Sequence, residues 1–146
     1  AWVSYEPQAR LCGHNVIRIP TAFAEGWRVT PQNLQAALEK RQYPDAPGLV
    51  ILNYPGSPEG LTYSTDALQQ LAPILRHYHM LAISDEIYGL LAHDGQHSSL
   101  AQYYENTVVI TGLSKWAGMS GWRLGVALVP DNLGALQEVI LATASE

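Results

Sequence analysis

The chain has 146 residues, 47% hydrophobic and 14% charged, which excludes a disordered polar chain and allows one domain with a core. A formal net charge of −5 and the lack of any basic run argue against nucleic acid or an anionic membrane as partner. Cys12 is the single cysteine, which fits a reducing compartment such as the cytoplasm, and no stretch reads as a signal peptide or as a bilayer span.

In chain order, "NVIRIP" (Asn15 to Pro20) is short and β-branched and predicts a strand. Thr30 followed by Pro31 predicts a helix start, with Leu34, Ala37 and Leu38 as its apolar stripe. "PDAPG" breaks the chain, and "LVILN" (Leu49 to Asn53) predicts a strand covered on both faces. Ser64 is the expected cap of a second helix, whose Leu68, Leu71, Ala72 and Leu75 follow helical spacing. "MLAIS" (Met80 to Ser84), "TVVIT" (Thr107 to Thr111) and "RLGVALV" (Arg123 to Val129) predict further strands, and Pro130 precedes a last helix. The alternation predicts an α/β fold: a mostly parallel sheet flanked by helices, as one domain over residues 1–146. The chain opens at Ala1 without methionine and stops inside "LATASE", which reads as an unfinished helix, so a piece of a longer protein is expected.

Ligands of such sheets bind beyond the carboxyl ends of the strands. There the sequence places "NYPGSPEG" (Asn53 to Gly60), "DEIY" (Asp85 to Tyr88) and "GLSK" ending at Lys115. The stretch from Thr111 to Gly125, "TGLSKWAGMSGWRLG", carries Lys115 and, eight residues later, Arg123, with no acid between them. A lysine amine in a desolvated pocket has a lowered pKa and forms a Schiff base with an aldehyde. Pyridoxal phosphate is such an aldehyde. Its ring nitrogen needs a carboxylate, its phenolic oxygen a donor and its phosphate a fork of donors, for which Asp85, Tyr88 and Arg123 are candidates.

These motifs resemble the large domain of the fold-type I pyridoxal-phosphate enzymes, the class I/II aminotransferases. "SDEIY" is similar to the family's strand-end aspartate and tyrosine, "LSKWAGMSGWRLG" to its Ser-Lys followed by Arg and Leu-Gly, and "NYPGSPEG" to its Asn-x-Pro-x-Asn-Pro-Thr-Gly loop. "WVSYEP" at Trp2 resembles the segment whose aromatic residue stacks on the cofactor ring. The resemblance implies that Lys115 binds the cofactor covalently and moves the substrate's α-proton. It gives Asp85 the ring nitrogen, Tyr88 the phenolic oxygen, Arg123 the phosphate and Trp2 the ring face. It further implies an amino acid and a 2-oxo acid as substrates and a homodimer as the full-length state. Two positions depart from the family pattern. Ser57 stands where the family has an asparagine donor, and Gly112 where it often has a phosphate-binding serine, a loss for which Thr111 or Ser114 are candidate compensators.

Each residue also has a plain structural use. Lys115 could snorkel, Asp85 or Ser57 could serve a turn, Tyr88 could be half buried, Arg123 could pair with a surface acid and Trp2 could pack in a core. Glu86 should point away from Asp85 across the strand. His93 and His97 have metal-like spacing but lack a third ligand, so no metal is expected. The same lysine machinery serves C–S lyases, decarboxylases and acyl-condensing synthases. An aminotransferase-like effector domain of a transcription regulator is a second reading, which a basic winged-helix segment upstream would favour.

Overall fold

The computed structural model describes residues 2–144. Its elements are helix α1 (Tyr5–Leu11), helix α2 (Pro31–Leu38), strand β1 (Gly48–Asn53), helix α3 (Thr65–His77), strands β2 (Met80–Asp85), β3 (Thr107–Gly112) and β4 (Gly125–Leu128), and helix α4 (Gly134–Ala144). The expected continuation of the last helix over Ser145 and Glu146 lies outside the described residues.

Both predicted caps form. Thr30 Oγ1 accepts from the Asn33 N–H at 3.2 Å and Ser64 Oγ from the Ala67 N–H at 3.3 Å, each satisfying a backbone donor that the first helical turn leaves free. The predicted stripes are the faces that pack: Leu34, Ala37 and Leu38 of α2 and Leu68, Leu71, Ala72 and Leu75 of α3 are all buried. All of them but Ala37 lie against Val50 and Leu52 of β1 and Met80 and Ala82 of β2 in one core cluster. Removing a leucine of this kind from water contributes about 1.5–3 kcal/mol.

The strands run β1-β2-β3-β4 across the sheet. β1 pairs parallel with β2, and β2 with β3, whereas β4 is antiparallel to β3 with Gly112 opposite Gly125. This antiparallel strand matters for the site. A parallel β4 would put the residues before it at the opposite edge; the antiparallel one puts Arg123 at the carboxyl edge of β1, β2 and β3.

Three sequence expectations change. Asn15 to Pro20 is not a strand: among the described residues it has no neighbour to share a ladder with, and only Val16 and Ile19 are half buried. β1 is not covered on both faces among the described residues, because Val50 and Leu52 are buried while Leu49 is 50% exposed. All four residues of β4 are exposed as well. The last strand also starts later than expected, at Gly125, because Arg123 adopts the left-handed conformation (φ 53°, ψ 36°) and cannot enter a ladder.

The departure at Gly112 has a steric reason. A Cβ there would sit 2.7 Å from the Leu124 carbonyl oxygen, a backbone atom that cannot swing aside. Gly112→Ser is therefore expected to spread β3 from β4 and to lower stability by about 1–3 kcal/mol, the usual cost of overpacking. Thermal unfolding of the full-length protein measures it.

Candidate cofactor site

β1, β2 and β3 deliver Asn53, Asp85 and Gly112 to one edge of the sheet, where the chain leaves each strand for a loop. Asp85 is the last residue of β2. Its Oδ1 accepts from the Ile87 N–H at 3.2 Å, and its Oδ2 accepts from the Tyr5 hydroxyl. Asn53 Nδ2 donates to the Asp85 carbonyl at 3.3 Å, tying β1 to the same point. Tyr5 was not foreseen in the sequence. Burial and its hydrogen bond to Asp85 push its phenol well above the usual tyrosine value, so it remains a donor at neutral pH.

The other expected residues gather around this carboxylate to different degrees. Lys115 is exposed in the turn after β3, with Nζ 5.4 Å from the centre of the Tyr88 ring. Tyr88 is half buried. Trp2 is 58% exposed and not a core residue; its ring meets Tyr5 edge-on, with centroids 5.6 Å apart. Ser114 is half buried beside Lys115. Arg123 is exposed, and its Nη1 donates to the Ser120 carbonyl at 3.1 Å. Ser57 is exposed in the loop after β1. Among the described residues no ion pair involves Lys115 or Arg123. His93 and His97 do not share a site: His93 is exposed, whereas His97 Nε2 lies 2.7 Å from Glu86 Oε2.

Behind Asp85, on the other side of the strand end, lies a buried polar cluster. Glu86 is 7% exposed. Its Oε1 accepts from Ser84 Oγ at 2.7 Å, Ser99 Oγ at 2.6 Å and Tyr54 OH at 3.2 Å. Burial by itself pushes the Glu86 carboxyl up, but hydrogen bonds from His97, Ser99 and Ser84 outweigh it and hold the group below its ordinary value. A carboxyl depressed in the folded state stabilises the fold above its unfolded pKa, about 4.3, and that contribution drains away as pH falls through the folded value. The acid limb of the stability curve of the full-length protein is therefore expected to be shallower in Glu86→Gln than in the wild type. Melting temperature followed from pH 7 downward checks this.

A carboxylate, a phenol, a primary amine and a guanidinium thus stand at one sheet edge, with an indole beside them. The family model described as aminotransferase class I and II matches residues 1–145. The chain belongs to the class I and II aminotransferases. Within that family it is 36% identical over 130 residues to the probable N-acetyl-LL-diaminopimelate aminotransferase of Bacillus subtilis, covering 88% of this chain and 32% of that protein. It is 32% identical over 145 residues to the aspartate/prephenate aminotransferase of Thermus thermophilus, covering 99% of this chain and 35% of that one. Among solved structures, the Thermus thermophilus aspartate aminotransferase with maleate superposes with a TM-score of 0.82 at 32% identity, over 99% of this chain and 35% of its own. The aspartate aminotransferase of Thermotoga maritima superposes with a TM-score of 0.84 at 25% identity, over all of this chain and 38% of its own. This aminotransferase chain therefore spans about a third of the length of the curated relatives it matches.

Proposed function

We propose that residues 1–146 form the central part of the large domain of a longer aminotransferase, which uses pyridoxal phosphate to move an amino group between an amino acid and a 2-oxo acid. The observation that carries this reading is the approach of Lys115 Nζ to the Tyr88 ring at the same sheet edge as the Asp85 carboxylate, in a chain of this family. The donor set suits the cofactor. Two cations without an acid partner among the described residues match an aldehyde and a phosphate, and the carboxylate matches a ring nitrogen. When bound, pyridoxal phosphate supplies the electron sink that makes the Cα–H of an amino acid acidic.

The chain's own residues divide the remaining work. Lys115 would hold the cofactor through Nζ, and the same amine would serve as the base and acid that moves the substrate's Cα proton. Asp85 keeps the ring nitrogen protonated, oriented by the Ile87 N–H and the Tyr5 hydroxyl. Tyr88 donates to the phenolic oxygen. Arg123 and Ser114 bind the phosphate, and Arg123 does so from a strained left-handed conformation that a functional position can maintain. Trp2 covers the ring face, and Ser57 contributes a hydroxyl where other members have an amide. Both named relatives above are aminotransferases, which favours this reading over an effector domain or a C–S lyase. The same reading makes the whole protein a cytoplasmic homodimer. A single free cysteine supports the compartment, and no described helix is long and apolar enough to cross a membrane.

Borohydride treatment of the full-length protein loaded with pyridoxal phosphate tests the assignment. The reduced, labelled peptide is expected to contain Lys115. Label on Lys40, or no label, would sink it.

A further inference from the structure

Asp85 and Tyr88 sit three residues apart on a single tight turn, and what holds that turn lies behind it. The Gly89 N–H donates to the Glu86 carbonyl at 2.8 Å, and the Glu86 N–H donates to the Ile110 carbonyl at 2.8 Å, extending the β2–β3 ladder by one residue. The Glu86 side chain then reaches back into the fold. It meets Tyr54 just after β1, Ser84 of β2, and both His97 and Ser99 of the segment before Leu100. His97 closes the arrangement. Its Nε2 bonds Glu86, and its ring lies so close over Gly89 that an added Cβ there would stand 3.0 Å from it. One imidazole thus bridges the two ends of the Glu86–Gly89 turn.

We propose that Glu86, braced by His97, is a positioning residue: it locks the Asp85–Tyr88 turn so that the carboxylate and the phenol present themselves together. The inference rests on the aminotransferase reading for its catalytic consequence. The physical reasoning is that a buried carboxylate with this many donors is over-determined, so the backbone carrying it has one conformation. Without the carboxylate, Ser84, Ser99, Tyr54 and His97 lose their common acceptor inside the fold, and the turn is free to shift. A displacement of well under 1 Å at groups that touch a cofactor is enough to slow the chemistry.

The test uses the full-length protein and the variants Glu86→Ala, Glu86→Gln and Gly89→Ala. In the cofactor-free protein, amide exchange at Ile87 and Gly89 reports the turn directly. It is expected to be faster in Glu86→Ala and in Gly89→Ala, where the new methyl displaces His97, and close to wild type in Glu86→Gln, which keeps an acceptor oxygen. With saturating pyridoxal phosphate, Glu86→Ala is expected to lower kcat about tenfold with little change in amino acid KM, and Glu86→Gln to recover most of it. Should Glu86→Ala not fold, Gly89→Ala gives the same two readouts with Glu86 intact. Wild-type amide exchange and wild-type kcat in variants that only melt at lower temperature would overturn the proposal and leave Glu86 a stabilising residue. A wild-type protein that captures no cofactor at Lys115 sinks the aminotransferase reading instead, and the amide exchange then decides alone whether Glu86 holds the turn.

Discussion

Replacing Lys115 with alanine is expected to lower transamination by the full-length protein by about four orders of magnitude, the upper range for loss of a positioned acid–base group. On the proposed reading the residue carries two tasks through the same Nζ, covalent attachment and proton transfer, and no neighbour would substitute for it. Tyr88 is the side chain that Nζ approaches, 5.4 Å from its ring centre, and it has no amine with which to form a Schiff base. Lys115→Arg is expected to fail equally. A guanidinium remains protonated at any working pH and has no lone pair to offer. Single-turnover measurement of the amino acid half-reaction, alongside borohydride labelling, separates this from a folding defect. Both variants should lose label and rate together while melting near the wild-type temperature, because Lys115 is exposed and packs little. Retention of more than a tenth of the wild-type rate in either variant would remove Lys115 from the chemistry.

Asp85→Asn is expected to slow removal of the Cα proton by about ten- to a hundredfold, while pyridoxal phosphate still binds Lys115. A charge-assisted hydrogen bond contributes about 1.5–3 kcal/mol, and about 1.36 kcal/mol in the barrier is a factor of ten in rate. The substitution is clean here for a structural reason. The asparagine oxygen can still accept from the Ile87 N–H, and the Tyr5 hydroxyl, which donates to the aspartate, can accept from the new amide instead. The charge is lost and the position is kept. Tyr5 supplies an independent readout. Part of the upward push on its phenol comes from Asp85, so in Asp85→Asn its ionisation is expected to move down toward the ordinary tyrosine range. An unchanged half-reaction rate combined with a shifted Tyr5 would mean that Asp85 meets Tyr5 but no ring nitrogen.

The residues of both predictions were legible in the sequence, because the chemistry of a strand end is local. A carboxylate just after an apolar run, and a lysine three residues past another, are placed by the chain itself at the edge of a parallel sheet. Glu86 shows where that kind of reading stops. Alternation along the strand correctly turned it away from Asp85. Its partners lie at Tyr54, His97 and Ser99, distant in the chain and spaced by no period, so nothing in the sequence joined them. His97 and His93 are close in sequence and so pair on spacing alone, whereas the partner of His97 in space is Glu86. Tyr5 was missed for the same reason, standing 80 residues from the carboxylate it holds.

Sequence by itself determined the capped helices, their buried stripes, the strands β1 to β3 and which polar residues stand at the ends of those strands. Each of these follows from side-chain period, capping chemistry or the end of an apolar run, all interactions within a few residues. Tertiary structure decided the rest. It left Asn15 to Pro20 outside the sheet, since β-propensity forms a strand only where a neighbour supplies the ladder. It set β4 antiparallel, brought Arg123 round to the edge that holds Asp85, and required glycine at position 112 because the Leu124 carbonyl passes too close for a side chain. Strand direction and backbone clearance depend on which segment lies alongside, a long-range property that no local pattern of residues encodes.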